Sequence, residues 1–562
     1  MLLAVTMLFL VACGSNGGTD STTSPNTNTS ASPNESASSP SATPSMVVQS
    51  EGFIEGGGFE GDANEAVNLA EHIDIILRGD FVVLNPSMSA GNNPMPHRFV
   101  HDRLVDHLQT GVFTPQLAER WETDDYKTWK FYLRNDVTWH NGAHFTADDV
   151  KFTIEFALEN VGSLIYNRFR YVESINVIDD YTIELTLIDP NVDILFEFAN
   201  FGGATILSRK AYEDNSEDPM WASIGTGPFR VSEFVSSSYC KLERFDEFWG
   251  EAPPTKSLTL WVVPEQATRT VMLQNGEAQV TGGEGTALTA EDLDKFVANP
   301  DFQVFSTQGV SPTCVSFNNM GNEVVMDKNF RLAIAHGIDC EDVALAAAGN
   351  WAVPVWDGNI WGAGVQFRME GLPKLEYDPE LAKEYLAKSA YKGETLKLSI
   401  SGVSVAAEVI QMQLGEIGIS IEIDTMDGPS FIDLHKWDPD NDNNARQMHL
   451  FAVAGNPSAL RTLRTGMYPL SATNRLNYSS PRITELTDLF SSTDDETIRR
   501  DAVYEIQEII YEDLPAVPIY YQYTTHVAVN GIGGVILNND PFANCYRYIF
   551  WDLDKAPASL KP

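Results

Sequence analysis

Cysteine is scarce in this chain, with five residues among 562. None shows the short spacing of a thiolate zinc site, so a structural zinc site of that kind is excluded. Four of the five are scattered through the chain as Cys240, Cys314, Cys340 and Cys545. They allow three disulfide pairings. We expect instead that they are small, buried and unpaired residues.

Positive charge is also in short supply. The chain has 37 Lys and Arg against 78 Asp and Glu, which gives a formal net charge of −41. A surface this acidic repels phosphate backbones, so nucleic-acid binding is excluded as a function. The same charge keeps a protein soluble, and it mildly favours cationic or neutral ligands.

Catalytic motifs are missing as well. The sequence has neither a G-x-S-x-G nucleophile elbow nor an H-E-x-x-H metal helix, which leaves a hydrolase as the less favoured alternative. His97 and His101 could share a helix face as a metal pair, with His107 nearby. We expect them to be neutral surface histidines, and we predict no resident metal or cofactor.

The N-terminus carries the first strong positive signal. Met1 to Ala12 is an apolar run with the length of a signal-peptide core, too short for the roughly 20 residues that span a bilayer. It ends at a lone Cys13 beside small residues, which resembles the lipobox of bacterial lipoproteins. By that resemblance residues 1–12 are a signal peptide and Cys13 carries the lipid. A start upstream of Met1 stays open, since no Lys or Arg precedes the run.

Residues 13–70 continue as a Ser-, Thr- and Pro-rich segment that cannot bury enough apolar surface to fold, and we predict a tether. Strand-like and helix-like patterns then alternate, which predicts an α/β fold in more than one lobe. Thr182–Ile188 alternates as a strand. The helices are predicted at Thr146–Glu159, Asp378–Ser389, Glu408–Ile417 and Asp494–Tyr511.

Six segments, in order, resemble the large solute-binding proteins of ABC importers, family 5, which serve oligopeptide, dipeptide and nickel uptake. They cover nearly everything from about residue 75 to 550. The segments are Leu117–Leu158, Gly225–Phe229 with Phe245–Gly250, Leu273–Gln279, Phe330–Asp339, Tyr377–Leu386 and Pro515–Tyr520.

The resemblance implies a two-lobed clamp of the periplasmic-binding-protein type II class with an extra subdomain. Carried over, lobe I is 71–98, 221–320 and 516–562, the subdomain is 99–220, and lobe II is 321–515. It implies an extracytoplasmic lipoprotein that captures a peptide or peptide-like solute without chemistry. The solute would pass to an ABC permease and its ATPase, and we expect a monomer held at the cell membrane.

One segment departs from the peptide-binding pattern. In relatives a carboxylate of lobe II pairs with the ammonium group of the peptide, but His449–Arg464 contains no Asp or Glu. Gly455 and Asn456 stand in its place, and Asn456 could accept a hydrogen bond from an amine. Arg461 could hold a carboxylate or phosphate through two hydrogen bonds. The alternative is that Arg461 and Arg464 are solvated helix residues.

Other candidate ligand contacts follow from position in the family pattern. We predict Asn318 near the first crossing between lobes and Tyr520 and Tyr521 near the second. Trp361 could stack on a ligand, as could Trp351 and Trp356, although core packing is the alternative for each. A saccharide, a metal chelate or a sensor role stays open. Asp438–Asn444 starts like a calcium loop but lacks its Gly and final Glu, which favours an acidic surface loop.

Overall fold

The computed structural model describes most of the chain from Gly57 onward. The described residues are 57–59, 61–81, 84–85, 95–109, 112–161, 163–200, 204–282, 288–319, 322–362, 364–435, 447–453, 458–466, 476, 478, 480–537 and 545–562. The signal peptide, residues 13–56 of the tether with Cys13, Gly455, Asn456 and the Asp438–Asn444 loop lie outside them. The last part of the predicted tether is folded, because Gly57–Phe59 is a strand that pairs with Val535–Leu537, and Phe59 and Ala70 are buried.

The strands are numbered in chain order. They are β1 (Gly57–Phe59), β2 (His72–Leu77), β3 (Val105–Gln109), β4 (Val112–Pro115), β5 (Ala118–Glu122), β6 (Thr128–Leu133), β7 (Val172–Asp179), β8 (Thr182–Leu187), β9 (Phe229–Val235), β10 (Tyr239–Arg244), β11 (Ser257–Val262), β12 (Val280–Gly282), β13 (Phe302–Gln308), β14 (Thr313–Phe317), β15 (Ala352–Pro354), β16 (Leu396–Ser401), β17 (Ile421–Met426), β18 (Met448–Ala452), β19 (Ala516–Val529), β20 (Ile532–Gly533), β21 (Val535–Leu537) and β22 (Phe550–Trp551).

The helices alternate with these strands. They are α1 (Met95–Val100), α2 (Ala147–Glu159), α3 (Leu164–Phe169), α4 (Ile194–Phe198), α5 (Arg209–Asn215), α6 (Gln266–Gln274), α7 (Ala290–Val297), α8 (Glu323–Met326), α9 (Lys328–Gly337), α10 (Cys340–Ala348), α11 (Pro379–Lys388), α12 (Val405–Glu416), α13 (Gly428–His435), α14 (Ala459–Gly466), α15 (Pro481–Ser491) and α16 (Glu496–Asp513).

The predicted α/β class is confirmed, and the predicted elements fall close to the observed ones. Thr146 caps α2 through a capping box with Asp149, because the Thr side chain and the Asp carboxylate each accept a backbone N–H. Asp378, where the predicted helix Asp378–Ser389 begins, is the N-cap of α11. Asp495 is the N-cap of α16, one residue after the predicted start at Asp494. Helix α12 begins three residues earlier than predicted, at Val405, since Ser404 is its N-cap.

A twelve-stranded sheet runs through the described residues in the order β17-β16-β18-β14-β19-β12-β2-β11-β10-β9, with β13 and β15 also paired to β19. Strand β19 is central to it, because its 14 residues pair with different partners along their length. Residues 516–520 pair with β14, whereas residues 523–529 pair with β13. A separate four-stranded sheet, β5-β6-β8-β7, lies in the predicted subdomain.

Buried apolar residues in the described chain form four clusters. The lobe I core includes Ile75, Leu260 and Val529. The subdomain core is drawn from residues 104–222 and includes Phe131 and Ile154. Lobe II has two clusters, one on each side of its sheet, drawn from residues 315–520 and 310–516. The two-lobed architecture with a further subdomain therefore rests on separate hydrophobic cores.

The subdomain joins lobe I through a close backbone contact. A Cβ atom on Gly225 would lie 1.8 Å from the carbonyl oxygen of Val100, and one on Gly227 would lie 2.5 Å from that of Phe99. Only glycine fits there. The imidazole of His140 bonds to both glycines, accepting from Gly225 N at 3.3 Å and donating to Gly227 O at 2.9 Å. The two motifs that contain these residues therefore meet at this seam.

The histidines near α1 are not on the surface, so that prediction is wrong. His97, His101 and His107 are all buried. Burial lowers the pKa of His97 to about 4 and holds that of His101 well below its usual value, so both are neutral as expected. In the described residues no group of three or more His, Cys, Asp or Glu could hold a metal ion.

Two expectations about the cysteines and the membrane can be compared with the described residues. Cys240, Cys314, Cys340 and Cys545 are buried and unpaired, as the sequence favours. Burial raises the pKa of Cys240 to about 12, so its thiol is unreactive. None of the helices in the described ranges has the length and hydrophobicity that crossing a membrane requires.

Candidate functional site

The chain passes between the two lobes along neighbouring strands, and this arrangement forms the hinge. Strand β13 pairs with the lobe I half of β19, and after a short turn β14 pairs with the lobe II half. Gly309 opens that turn, and its N–H donates to the carbonyl of Gln522 at 3.3 Å. Two adjacent connections of this kind let one lobe rotate against the other, with a cleft between them.

Trp361 and Tyr521 lie together on the lobe II side of this hinge. The Tyr521 hydroxyl donates to the carbonyl oxygen of Trp361 at 3.0 Å. Burial raises the pKa of Tyr521 far above its usual range, so it is a hydrogen-bond donor at any physiological pH. Trp361 is fully buried, and among the described residues its indole N–H has no hydrogen-bond partner. A buried donor left open in this way is costly unless something binds it.

Tyr520 and Asn318 occupy the adjoining strands. Tyr520 is buried in a lobe II cluster, opposite Thr313 and Pro354 in the sheet register. Because successive side chains of a strand point to opposite faces, Tyr520 and Tyr521 face different sides of β19. Asn318 follows directly after β14 and is buried, with its backbone N–H donating to Gln447 O at 2.9 Å. Contact of these residues with a ligand stays a prediction.

The other tryptophans have structural neighbours. Trp351 is buried in the lobe I core, and its indole N–H donates to Asp294 at 3.0 Å. Trp356 packs partly buried against a lobe II cluster. Core packing, the alternative given for each of them, therefore describes Trp351 and Trp356 in this structure.

Arg461 lies where lobe II meets the subdomain. Ser458 caps α14 by accepting the Arg461 backbone N–H at 3.2 Å, and the side chain is half-buried. Its charge reaches a buried ion pair of the subdomain, in which Arg168 Nη1 and Glu197 Oε2 are 2.6 Å apart. Burial and then Arg461 lower the pKa of Arg168. Burial raises the pKa of Glu197, but Arg168 and Arg461 outweigh it and the net change is downward.

Arg464 extends the same contact by one helical turn. Its guanidinium lies 5.3 Å from the ring centre of Tyr171 in the subdomain. Its charge also acts on Asp193, whose pKa is raised by burial and pulled back by Arg499 and then Arg464. Both arginines of α14 are half-buried at this contact, so they differ from fully solvated helix residues.

The arrangement concentrates positive charge in an acidic protein. Helix α14 reads ALRTLRTG and has no carboxylate, in a chain whose net charge is −41. Across from it lies the Arg168–Glu197 ion pair, and the charge of Arg461 acts on both of its members. An anionic group between the lobes would be attracted there, and the low dielectric of a closed cleft would strengthen that attraction.

The partners of Arg461 were not predicted from the sequence. Arg168 and Glu197 are separated from Arg461 by more than 260 positions, and no motif marks them. The available signal was the pair of arginines in Asn167–Tyr171, an unusual density of positive charge for this chain.

Comparison with protein families identifies the same relatives as the motifs. Residues 112–471 match the model of the bacterial extracellular solute-binding proteins, family 5. The dipeptide-binding protein of Escherichia coli (strain K12) is 24% identical over 459 residues, 75% of this chain and 83% of that protein. The nickel-binding periplasmic protein of the same strain is 25% identical over 370 residues, 60% of this chain and 68% of its own length.

Solved structures share the fold at lower identity. The Helicobacter pylori periplasmic binding protein DppA, in complex with the peptide STSA, has a TM-score of 0.72 at 20% identity and covers 88% of this chain and 98% of its own. The Brucella suis protein NikA, in complex with Fe(III)-EDTA, has a TM-score of 0.74 at 21% identity and covers 84% of this chain and 99% of its own.

Proposed function

Since this chain belongs to family 5 of the bacterial extracellular solute-binding proteins, we propose that it captures a peptide or peptide-like solute between its lobes and delivers it to an ABC permease and ATPase. The observation that carries the choice of ligand is Arg461 beside the Arg168–Glu197 pair. The solute would be bound chiefly through an acidic group, such as a peptide carboxylate. Binding is reversible and involves no covalent step.

The absence of a carboxylate in His449–Arg464 bears on which end of a peptide is bound. A buried ammonium group needs a paired anion, and this segment offers no anion, only an uncharged acceptor such as Asn456. We therefore propose that a free peptide N-terminus contributes little, while a free C-terminus contributes most. Peptide-binding relatives support the solute class, and the charge distribution supports which end of the solute is held.

Three versions of one peptide test this proposal by thermal shift: free, N-acetylated and C-amidated. A ligand at 100 times its Kd adds about 2.7 kcal/mol of stability, which is readily measured. Acetylation should leave most of the shift, and amidation should abolish it. The reverse order would overturn the assignment, and a shift with saccharides or metal chelates alone would replace the solute class.

Arg461→Ala tests the residue directly. Removing a charged hydrogen-bond donor costs about 1.5–3 kcal/mol, so the Kd for an acidic solute should rise roughly tenfold to hundredfold. Arg482→Ala is the matched control, because Arg482 is a half-exposed arginine on lobe II helix α15 that pairs with Glu505. Equal affinities for both variants would remove Arg461 from the site.

We also propose that Cys13 carries a lipid and that the segment from Cys13 to the start of β1 at Gly57 tethers the folded body to the cell membrane. The support is the lipobox-like sequence and the low-complexity segment after it. Cys13→Ser should release the protein into the medium, whereas Ser15→Ala should leave it on the membrane. Retention of the Cys13→Ser protein would contradict lipidation.

For the domains, we propose the division predicted from the family, with one refinement at the first crossing. Strand β14 pairs with β18 on the lobe II side, which supports a crossing in residues 309–312 rather than near 320. Limited proteolysis of the ligand-free protein should cleave the turn between β13 and β14 before any site within the cores.

A further inference from the structure

The subdomain and lobe II touch at a second place, which involves the start of α4 and the turn between α15 and α16. Asp193 Oδ1 and Arg499 Nη2 are 2.7 Å apart, and their side chains are 6% and 11% exposed. The two residues are 306 positions apart in the sequence. Beside them the Val192 N–H donates to Ser491 O at 3.1 Å. The Tyr126 hydroxyl donates to Asp494 Oδ2 at 2.5 Å.

This set of contacts, which we call the closure contact, joins Tyr126, Val192 and Asp193 of the subdomain to Ser491, Asp494 and Arg499 of lobe II. It lies apart from the hinge strands, whose pairing uses β13, β14 and β19. Rotation about the hinge would therefore separate the two halves of the closure contact, while leaving the hydrogen bonds of the hinge in place.

The ion pair in the closure contact is incompletely satisfied. Within the described residues, Asp193 Oδ2 and Arg499 Nε are buried and have no hydrogen-bond partner. Taking both charges out of water costs several kcal/mol per ion, and the attraction between them repays this fully only when the remaining polar atoms are also bonded. Separating and hydrating this pair therefore costs less than separating a buried pair whose polar atoms are all bonded.

Aromatic contacts and backbone strain at the closure contact also favour an Asp193–Arg499 pair that can separate. The Arg499 guanidinium lies 4.2 Å from the ring centre of Phe490 and 5.9 Å from that of Phe367. Tyr126 and Phe367 both have φ of 55°, in the left-handed region that bulky residues rarely adopt. Such strain is held only by its surroundings and is concentrated where a structure switches between states.

We propose that the closure contact is a separable latch that holds the cleft closed and sets how readily a bound solute is released. The inference rests on the proposed function, because a latch has a role only in a protein that opens and closes around a ligand. Its strength determines the closed fraction of the ligand-free protein, and the apparent affinity for solute scales with that fraction.

The test measures the closed fraction without any ligand, by distances between spin labels at Glu155→Cys in the subdomain and Glu408→Cys in lobe II. Both positions are exposed, whereas Cys240, Cys314, Cys340 and Cys545 are buried, and Cys13→Ser removes the remaining thiol. In this background Asp193→Asn and Arg499→Met break the ion pair, and the exchange Asp193→Arg with Arg499→Asp re-forms it. As a control, Arg482→Gln removes the exposed Arg482–Glu505 ion pair, which joins the same two helices, α15 and α16.

We expect a short-distance population in the parent and in Arg482→Gln, about tenfold smaller in Asp193→Asn and Arg499→Met, and partly restored by the exchange. Absence of that population in the parent, or equal populations in parent and variants, would overturn the latch. If Arg499→Met does not fold, Asp193→Asn, which is nearly isosteric, decides alone. Failure of every solute in the thermal-shift screen would overturn the proposed function and leave the distance result standing.

Discussion

Two buried aspartate–arginine pairs connect parts of this protein, and they differ in how completely they are satisfied. Asp102 accepts from Arg547 at 2.5 Å, Gln116 at 3.1 Å, Thr226 at 2.9 Å and Trp249 at 3.0 Å, so both carboxylate oxygens are bonded. It lies at the seam of lobe I and the subdomain.

Asp193, at the seam of the subdomain and lobe II, bonds to Arg499 through one oxygen, and the other oxygen has no partner in the part of the chain that the structure describes. A fully bonded buried pair is costly to separate, whereas a partly bonded one is not, because hydration regains what the protein failed to provide. If the closure contact separates as proposed, the subdomain should stay with lobe I while lobe II moves.

The largest expected effect comes from breaking the Asp102 network. Asp102→Asn would leave the buried guanidinium of Arg547 without its counter-charge, which should lower the free energy of unfolding by about 3–5 kcal/mol. Asp193→Asn should cost less than about 1 kcal/mol, because Arg499 can become hydrated when the lobes open. Denaturant unfolding of both variants measures the difference, and equal losses would contradict the comparison.

A smaller effect is expected from the backbone contact at the same seam. In Gly225→Ala the new methyl group would overlap the carbonyl of Val100, so the strands must shift, at a cost of about 1–3 kcal/mol or more. Gly415→Ala is the control, since nothing lies within 4 Å of a Cβ there and α12 favours alanine. Thermal unfolding should separate the two, and a neutral Gly225→Ala would show that the seam is looser than its geometry indicates.

A pH dependence of stability is also expected at this seam. Burial lowers the pKa values of His97, His140 and His526 to about 4, below the value of about 6.5 for an exposed histidine. Between these values the unfolded chain binds more protons than the folded one. Stability is therefore present in full above pH 6.5 and is lost as the pH falls toward 4.

Each of these histidines can add up to about 1.4 kcal/mol per pH unit to that slope. His97→Leu should flatten the dependence of unfolding free energy on pH, whereas His144→Gln, at an exposed position, should not. Charged neighbours of the histidines at this seam include Arg98, Asp102, Arg230 and Arg547. A parent protein with constant stability from pH 6.5 to 4.5 would contradict the prediction.

Much of the local structure could be predicted from the sequence, because its causes lie within a few residues. The capping box of Thr146 and Asp149 fixes the start of α2, and alternating apolar residues produce β8. The aspartate caps of α11 and α16 are equally local. The six motifs also predicted the family, since their order and spacing reflect a conserved fold.

The burial of the histidines could not be predicted in this way. His97 and His101 form a pattern that fits a surface helix as well as a buried one. The backbone carbonyl of His101 accepts a hydrogen bond from Arg547, which lies more than 400 positions away in the sequence. The same limit applies to Arg461, whose partners Arg168 and Glu197 are brought near by the meeting of the subdomain and lobe II.

By itself the sequence determined the class of fold, the family and the lack of an acidic anchor in His449–Arg464, since these depend on composition, local pattern and motif order. Only the tertiary structure decided which charges meet. It placed Arg461 beside Arg168 and Glu197. Among the described residues, it also provided partners for both carboxylate oxygens of Asp102 but for only one of Asp193. The reason is physical: the energy of a charge depends on its burial and its neighbours, and folding brings those neighbours from distant parts of the chain.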